Sequence, residues 1–100
     1  MELRYAEIGG QLTIAFIGDL DNVATPVVTE QLQPVFRRDD CDILIECTKL
    51  NYISSMGLRL LITLYKNIRD NGHDVYITHM NETVHEVLYS GGFLDLLKEV

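Results

Sequence analysis

The chain has 100 residues, 47% of them hydrophobic and 23% charged, which is the composition of one ordinary globular domain over residues 1–100. Fifteen acidic residues against eight basic ones give a formal net charge of −7, which argues against nucleic acid or anionic lipid as a partner. No apolar run approaches the roughly 20 residues that span a bilayer and no secretory leader opens the sequence, so a cytoplasmic location without membrane insertion is expected.

The first two predicted elements form a β-hairpin. Residues 2–8 and 11–18 are alternating runs, and Gly9-Gly10 between them can adopt the positive φ angles that a two-residue turn needs. In the second run apolar residues occupy both faces, with Leu12, Ile14 and Phe16 on one of them. This pattern predicts a central strand that is partly covered on both sides.

Residues 18–22 are predicted to form a polar loop that leaves this strand. Gly, Asp and Asn favour turns, so the segment is consistent with a simple turn. A role in contacting a partner, through Asp19, Asp21 and Asn22, is about equally supported.

A first helix is predicted to begin at Thr25-Pro26. Thr25 would be the N-cap, and Pro26 would occupy the first helical position, where a missing N–H costs little. Pro34 cannot donate to the carbonyl of Glu30, so the helix is expected to kink or tighten near it. The buried stripe is predicted to consist of Val28, Leu32, Val35 and Phe36.

Residues 42–47 are rich in β-branched side chains, which predicts a buried strand. Cys41 and Cys47 would be about 20 Å apart in an extended segment, beyond the reach of a disulfide. Both are therefore expected to be reduced thiols. Without a C-x-x-C spacing they give neither a redox motif nor a zinc site.

A serine pair follows this strand and precedes a second predicted helix. Apolar residues recur at helical spacing to about Asp70, and Asn71-Gly72 forms a C-terminal stop. Ser54 and Ser55 therefore lie at a helix N-terminus, where free N–H groups and the helix dipole favour a capping hydroxyl and would stabilise an attached phosphate. One of the two serines is expected to cap the helix.

The second helix has an unusually wide apolar arc because it includes Leu60 and Leu64. The helix is either packed against a neighbouring helix, which we favour, or it offers an apolar contact surface. The first alternative places both leucines in the core, and the second leaves them on the surface.

Three further elements complete the chain. Residues 74–78 are predicted to form the fourth strand, and Asn81 is predicted to cap a third helix that Gly91-Gly92 ends before a short helical turn carrying Phe93. The order ββαβαβαα predicts an α/β (α+β-like) fold in which helices pack on a four-stranded mixed sheet.

The sequence offers few candidates for catalysis. An enzyme needs a nucleophile, a base and a stabilising group in one cleft. His73, His79 and His85 form no i, i+4 pair, and each is expected to be structural or solvated. No nucleophile-elbow or Gly-rich phosphate motif is present, so we expect no catalytic residue, cofactor or metal.

Three short segments carry a family resemblance. Ile53-Ser54-Ser55-Met56-Gly57-Leu58 resembles the Asp-Ser-Ser-Gly-Leu signature of anti-sigma factor antagonists, the bacterial STAS-domain proteins, with Ser54 in place of the Asp and Met56 in place of the second serine. Gly18-Asp19-Leu20-Asp21 resembles the Gly-x-Leu-Asp element of this family, and Tyr89-Ser90-Gly91-Gly92-Phe93 resembles its closing turn. All three occur in the expected order, so the resemblance covers nearly the whole chain.

This resemblance implies a regulatory module of one STAS-type domain that binds an anti-sigma factor with a serine-kinase fold. The family's phosphate acceptor corresponds to Ser55, whose phosphorylation would release the partner, and a serine phosphatase is a further implied partner. The expected partner-binding residues are Asp19, Asp21, Asn22, Ser54, Ser55, Met56, Gly57 and Arg59. The alternative is an accessory subunit of a membrane transport ATPase complex, which Leu60 and Leu64 would favour if they formed a permanent apolar contact.

Overall fold

The computed structural model describes every residue from Met1 to Val100 and consists of one mixed sheet and four helices. The strands are β1 (Glu2–Ile8), β2 (Gln11–Leu20), β3 (Asp42–Glu46), β4 (Leu50–Ile53), β5 (Val75–Thr78) and β6 (Lys98–Glu99). The helices are α1 (Ala24–Gln31), α2 (Gln33–Phe36), α3 (Ser55–Asp70) and α4 (Glu82–Ser90), and a 3-10 turn covers Phe93–Asp95. The predicted fold class is confirmed, but the sheet has six strands rather than four.

The sheet is mixed because only β1 runs antiparallel to its neighbour. The strand order is β1-β2-β3-β5-β6, and the pairs after β1–β2 are parallel. Gly9 and Gly10 form the turn of the β1–β2 hairpin with φ angles of 58° and 79°, which confirms the predicted hairpin.

Two strands, β4 and β6, were not predicted from the sequence, and β4 is the one that adjoins the serine pair. β2 pairs with β3 along its first half and with β4 along its second half, so β3 and β4 follow one another along β2. The register shifts at Gly18/Asp19, where the Gly18 N–H donates to the Lys49 carbonyl (2.9 Å). Because this pairing extends β2 to Leu20, the predicted loop over residues 18–22 is wrong for its first three residues.

The core lies between one face of the sheet and the helices. Leu12, Ile14 and Phe16 of β2 are buried, whereas the residues between them are half-buried, as the prediction of a central strand required. β3 alternates in the same way, so the helices cover one face only. Further fully buried side chains of this core are Ile43, Ile45, Leu61, Leu64, Ile68, Ile77 and Phe93.

The first predicted helix is divided into two, as the position of Pro34 indicated. α1 ends at Gln31, and α2 begins at Gln33 with Pro34 in its first turn. Leu32 between them is fully buried and its N–H still bonds to the Val28 carbonyl (2.9 Å). The interruption therefore leaves the buried stripe continuous.

α3 packs against both α1 and α4. Leu60 is 5% exposed and Leu64 is fully buried, so the neighbouring-helix interpretation is confirmed. Neither leucine is available as a contact surface. None of the helices combines the length and the apolar character that a bilayer crossing requires.

The histidines and cysteines are placed largely as the sequence suggested. Cys41 and Cys47 are free and buried. His73 is half-buried, and its ring lies 3.1 Å from Asp42 Oδ1 and 2.9 Å from the Asp39 carbonyl oxygen. After the 3-10 turn the chain adds the unpredicted strand β6, which pairs with β5.

Candidate functional site

The serine pair lies where β4 ends and α3 begins. Ser54 is the N-cap of α3: its Oγ accepts a hydrogen bond from the Gly57 N–H (3.1 Å), and its own N–H donates to the Leu20 carbonyl (2.9 Å). Ser55 is the first residue of the helix and is exposed. Capping is therefore confirmed and falls to Ser54, which leaves the Ser55 hydroxyl facing solvent.

Gly57 allows the first turn of α3 to lie directly against the end of β2. A Cβ at this position would be 2.7 Å from the Leu20 carbonyl oxygen and 2.9 Å from Cγ1 of Ile53. Such distances leave no room for any side chain. The Leu20 carbonyl thus lies against Gly57 while accepting the Ser54 N–H, and it fixes the helix start to the strand end.

The motif Tyr89-Ser90-Gly91-Gly92-Phe93 also contacts the first turn of α3. A Cβ built on Gly91 would lie 2.5 Å from Cδ2 of Leu58, so the end of α4 approaches the first turn of α3 closely. The segment around Leu20 and the segment around Gly91 therefore both contact the serine turn. Three motifs that are far apart in the sequence form one structural unit.

Asp21 forms the N-terminal cap of α1. Its Oδ1 accepts hydrogen bonds from the N–H groups of Ala24 (2.8 Å) and Val23 (3.1 Å). The prediction that Thr25 is the N-cap is wrong, because Thr25 lies inside the helix and its hydroxyl donates to the Asp21 carbonyl (2.6 Å). Asp19 is exposed, so its carboxylate can face a partner, whereas that of Asp21 already has a structural use.

We expect Asp21→Ala to lower the free energy of unfolding by about 1 kcal/mol, because the capping acceptor of α1 is lost. Asp21→Asn keeps an acceptor oxygen and is expected to recover most of this loss. Urea denaturation followed by circular dichroism measures both. Asp19→Ala is the matched control, with no expected change in stability; a loss as large as that of Asp21→Ala would contradict the capping role.

Exposed apolar side chains are the second feature of this end of the domain. Val23, immediately before α1, is 83% exposed, and Val27 on α1 is 58% exposed. Tyr52 and Met56 flank the serine turn and are also exposed. An open hollow of about 520 Å³ lies beside the two valines, lined in part by Met1, Asp19, Asp21, Val23, Val27 and Asn51. Its lining combines apolar side chains with acidic and amide groups.

The predicted contact residues divide into exposed and structural groups. Asp19, Asn22, Ser55, Met56 and Arg59 are exposed, Asp21 is half-buried, and Ser54 and Gly57 are buried. Four further residues of this region are exposed but were not predicted as contact residues: Val23, Val27, Asn51 and Tyr52. A signal for the two valines was present, because they are four residues apart and lie off the buried stripe that contains Val28.

The serine turn itself contains no histidine or cysteine. His79 pairs with Glu46 (2.9 Å) on β3, and His85 lies on α4, so neither is placed on the serine turn. Burial raises the pKa of the Cys47 thiol to about 12, which keeps it protonated at neutral pH. No three His, Cys, Asp or Glu side chains are grouped so as to hold a metal ion.

Comparison with known proteins gives a consistent result. A family model described as STAS domain matches residues 2–100. An anti-sigma F factor antagonist of Paenibacillus polymyxa is 26% identical over 89 residues, covering 88% of this chain and 76% of that protein. An anti-sigma-B factor antagonist of Staphylococcus aureus is 26% identical over 80 residues, covering 80% of this chain and 74% of that protein.

A solved structure extends the comparison to the fold. The anti-sigma factor antagonist SpoIIAA in its unphosphorylated form superposes with a TM-score of 0.83 over 99% of this chain and 88% of that chain, at 14% identity. SpoIIAA of Bacillus in its phosphorylated form superposes with a TM-score of 0.75 over 99% of this chain and 91% of that chain, at 13% identity. At such low identity these likenesses show that the fold is shared.

Proposed function

This chain belongs to the STAS domain family, and from that membership we propose that it is a regulatory, non-enzymatic anti-sigma factor antagonist. The unmodified protein binds an anti-sigma factor with a serine-kinase fold and so frees a sigma factor. Phosphorylation of Ser55 releases the anti-sigma factor. A serine phosphatase restores the binding form, and the setting is the cytoplasm.

The observation that carries this proposal is the exposed hydroxyl of Ser55 beside an exposed apolar surface. Ser54 is 7% exposed and its Oγ is already bonded to the Gly57 N–H, so Ser55 is the accessible acceptor of the pair. Met56 and Tyr52 next to it give a partner apolar area to cover. A group transferred to Ser55 would lie within that covered area.

A phosphate at Ser55 would be tolerated in the free protein and opposed in the complex. It adds roughly −1.5 to −2 charges at neutral pH, and the first turn of α3 holds no acidic residue that would repel it. The helix dipole favours an anion there, and Arg59 lies one turn further along the same helix face. Covering the same charge with an apolar surface removes its solvation, which weakens binding.

We expect Ser55→Ala to bind the cognate anti-sigma factor as the unmodified protein does and Ser55→Glu to bind at least about tenfold more weakly, a difference of about 1.4 kcal/mol. Titration calorimetry with the purified anti-sigma factor measures both affinities. Incubation with that factor and ATP, followed by mass spectrometry, is expected to add one phosphate to the unmodified chain and none to Ser55→Ala.

Gln31→Glu is the control for the change of one charge, because Gln31 is exposed at the far end of α1. This variant is expected to bind normally. Equal affinities of Ser55→Ala and Ser55→Glu would remove the switch and leave only the interaction. Absence of binding by every form would overturn the antagonist proposal itself.

The transport-subunit alternative has lost the feature that favoured it. That reading relied on Leu60 and Leu64 as a permanent apolar contact with another protein, and both are buried within this domain. No other observation favours it over the antagonist proposal.

A further inference from the structure

β1 leaves one edge of the sheet without a neighbouring strand. It pairs only with β2, in an unbroken register over all seven of its residues, and contains neither a proline nor a bulge. Tyr5 is 49% exposed and Ile8 is 80% exposed on this strand. Edges of this length and regularity can pair with a further strand.

The register of the hairpin determines which backbone groups face the open edge. Ile8 and Gln11 flank the two-residue turn and form a hydrogen-bonded pair, so bonded pairs recur at every second residue of β1. The N–H and C=O groups of Leu3, Tyr5 and Glu7 therefore point away from β2. Each copy of the chain presents three donors and three acceptors along this edge.

An antiparallel copy of the same strand satisfies all of these groups in one register. When Tyr5 lies opposite Tyr5 of the second copy, Leu3 lies opposite Glu7 in both directions, and each of these pairs exchanges two hydrogen bonds. Glu7 accepts hydrogen bonds from the Arg38 guanidinium (2.7 Å), which also pairs with Asp40 (2.9 Å). The charge of Glu7 is therefore partly offset before it meets Leu3.

Side-chain charges favour this register over the adjacent one. On the other face of the strand Arg4 lies opposite Ala6 and Glu2 lies opposite Ile8, so no like charges meet. A shift that centres the pairing on Arg4 places two guanidinium groups directly opposite one another, which is destabilising. The Tyr5-centred register also brings two half-exposed aromatic rings together.

We propose that a second copy of this chain docks on the β1 edge with Tyr5 at the two-fold axis, which joins the two sheets into one. Each copy carries a net charge of −7, and this repulsion opposes association. Added salt screens the repulsion, so the dimer is stronger at high ionic strength than at low ionic strength.

Analytical ultracentrifugation of the full chain from micromolar to millimolar concentration tests the proposal. A monomer–dimer equilibrium that salt shifts towards the dimer is expected. Tyr5→Pro removes one outward N–H at the centre of the pairing, spares the bonds to β2, and is expected to weaken the dimer about tenfold or more. A single monomeric species of the unmodified chain at every concentration and salt level would overturn the proposal.

Disulfide trapping tests the register and does not require the proline variant to fold. In the proposed dimer the two Cα atoms at Tyr5 are about 5.5 Å apart, within disulfide range, so Tyr5→Cys is expected to cross-link. Glu7→Cys is the control on the same strand and face, because its two Cα atoms would be about 14 Å apart. If Tyr5→Cys cross-links about tenfold faster than Glu7→Cys, the proposed register is supported, whereas equal rates contradict it. The native cysteines, Cys41 and Cys47, are buried and do not interfere.

Discussion

Leu64→Ala is expected to lower the free energy of unfolding by about 3 kcal/mol, which corresponds to a fall in Tm of roughly 12–24 °C for a domain of this size. Leu64 is fully buried in α3, the helix that packs against both α1 and α4. Truncation would leave a cavity that three packed elements cannot easily fill. Urea denaturation and differential scanning calorimetry measure the loss.

Thr63→Ala is the control, because Thr63 is the exposed neighbour of Leu64 on the same helix. Its effect on stability is expected to stay within about 0.5 kcal/mol. A Leu64→Ala variant as stable as the unmodified chain would show that Leu64 faces outwards. That outcome would restore the apolar contact on which the transport-subunit alternative depends.

Gly57→Ala is expected to destabilise the protein by about 2 kcal/mol, although the same change in an open helix position stabilises by up to about 1 kcal/mol. The added Cβ would lie 2.7 Å from the Leu20 carbonyl oxygen, so either α3 or the end of β2 must move. Movement there would also stretch the hydrogen bond from the Ser54 N–H to Leu20. Chemical denaturation measures the loss of stability.

The intrinsic helix preference favours alanine at position 57, whereas the close contact with the Leu20 carbonyl disfavours it. The sign of the measured change in the free energy of unfolding therefore shows which of the two effects is larger. Met56→Ala is the control within the same helical turn, since Met56 is 38% exposed. It is expected to leave the stability nearly unchanged. A Gly57→Ala variant that is more stable than the unmodified chain would contradict the close packing of α3 on β2.

Features that depend on a few neighbouring residues could be predicted from the sequence. The Gly9-Gly10 hairpin, the break at Pro34, the cap at Ser54 and the end of α3 before Gly72 all follow from local backbone chemistry. Each requires only a turn, a missing N–H or a capping oxygen. The position of Ser55 at the start of α3 followed from the same local signals.

Features that depend on distant partners could not be predicted in this way. β4 exists because residues 50–53 find the free second half of β2, and its burial does not alternate as a two-faced strand would. Because of the same pairing, residues 18–20 are part of strand β2, although they were predicted to form a loop. At the start of α1 only Thr25-Pro26 was predicted as the cap, whereas the Asp21 carboxylate, assigned to the preceding loop, accepts hydrogen bonds from two N–H groups.

The strand end at Leu20 has a consequence for the thermodynamics of association. Its carbonyl binds the start of α3, and the next residue caps α1, so both helix starts are held by one short segment before any partner arrives. A surface that is already ordered loses little conformational entropy on docking. Complex formation should therefore proceed with nearly rigid backbones, and a phosphate at Ser55 should act through its charge rather than by reshaping the recognition surface.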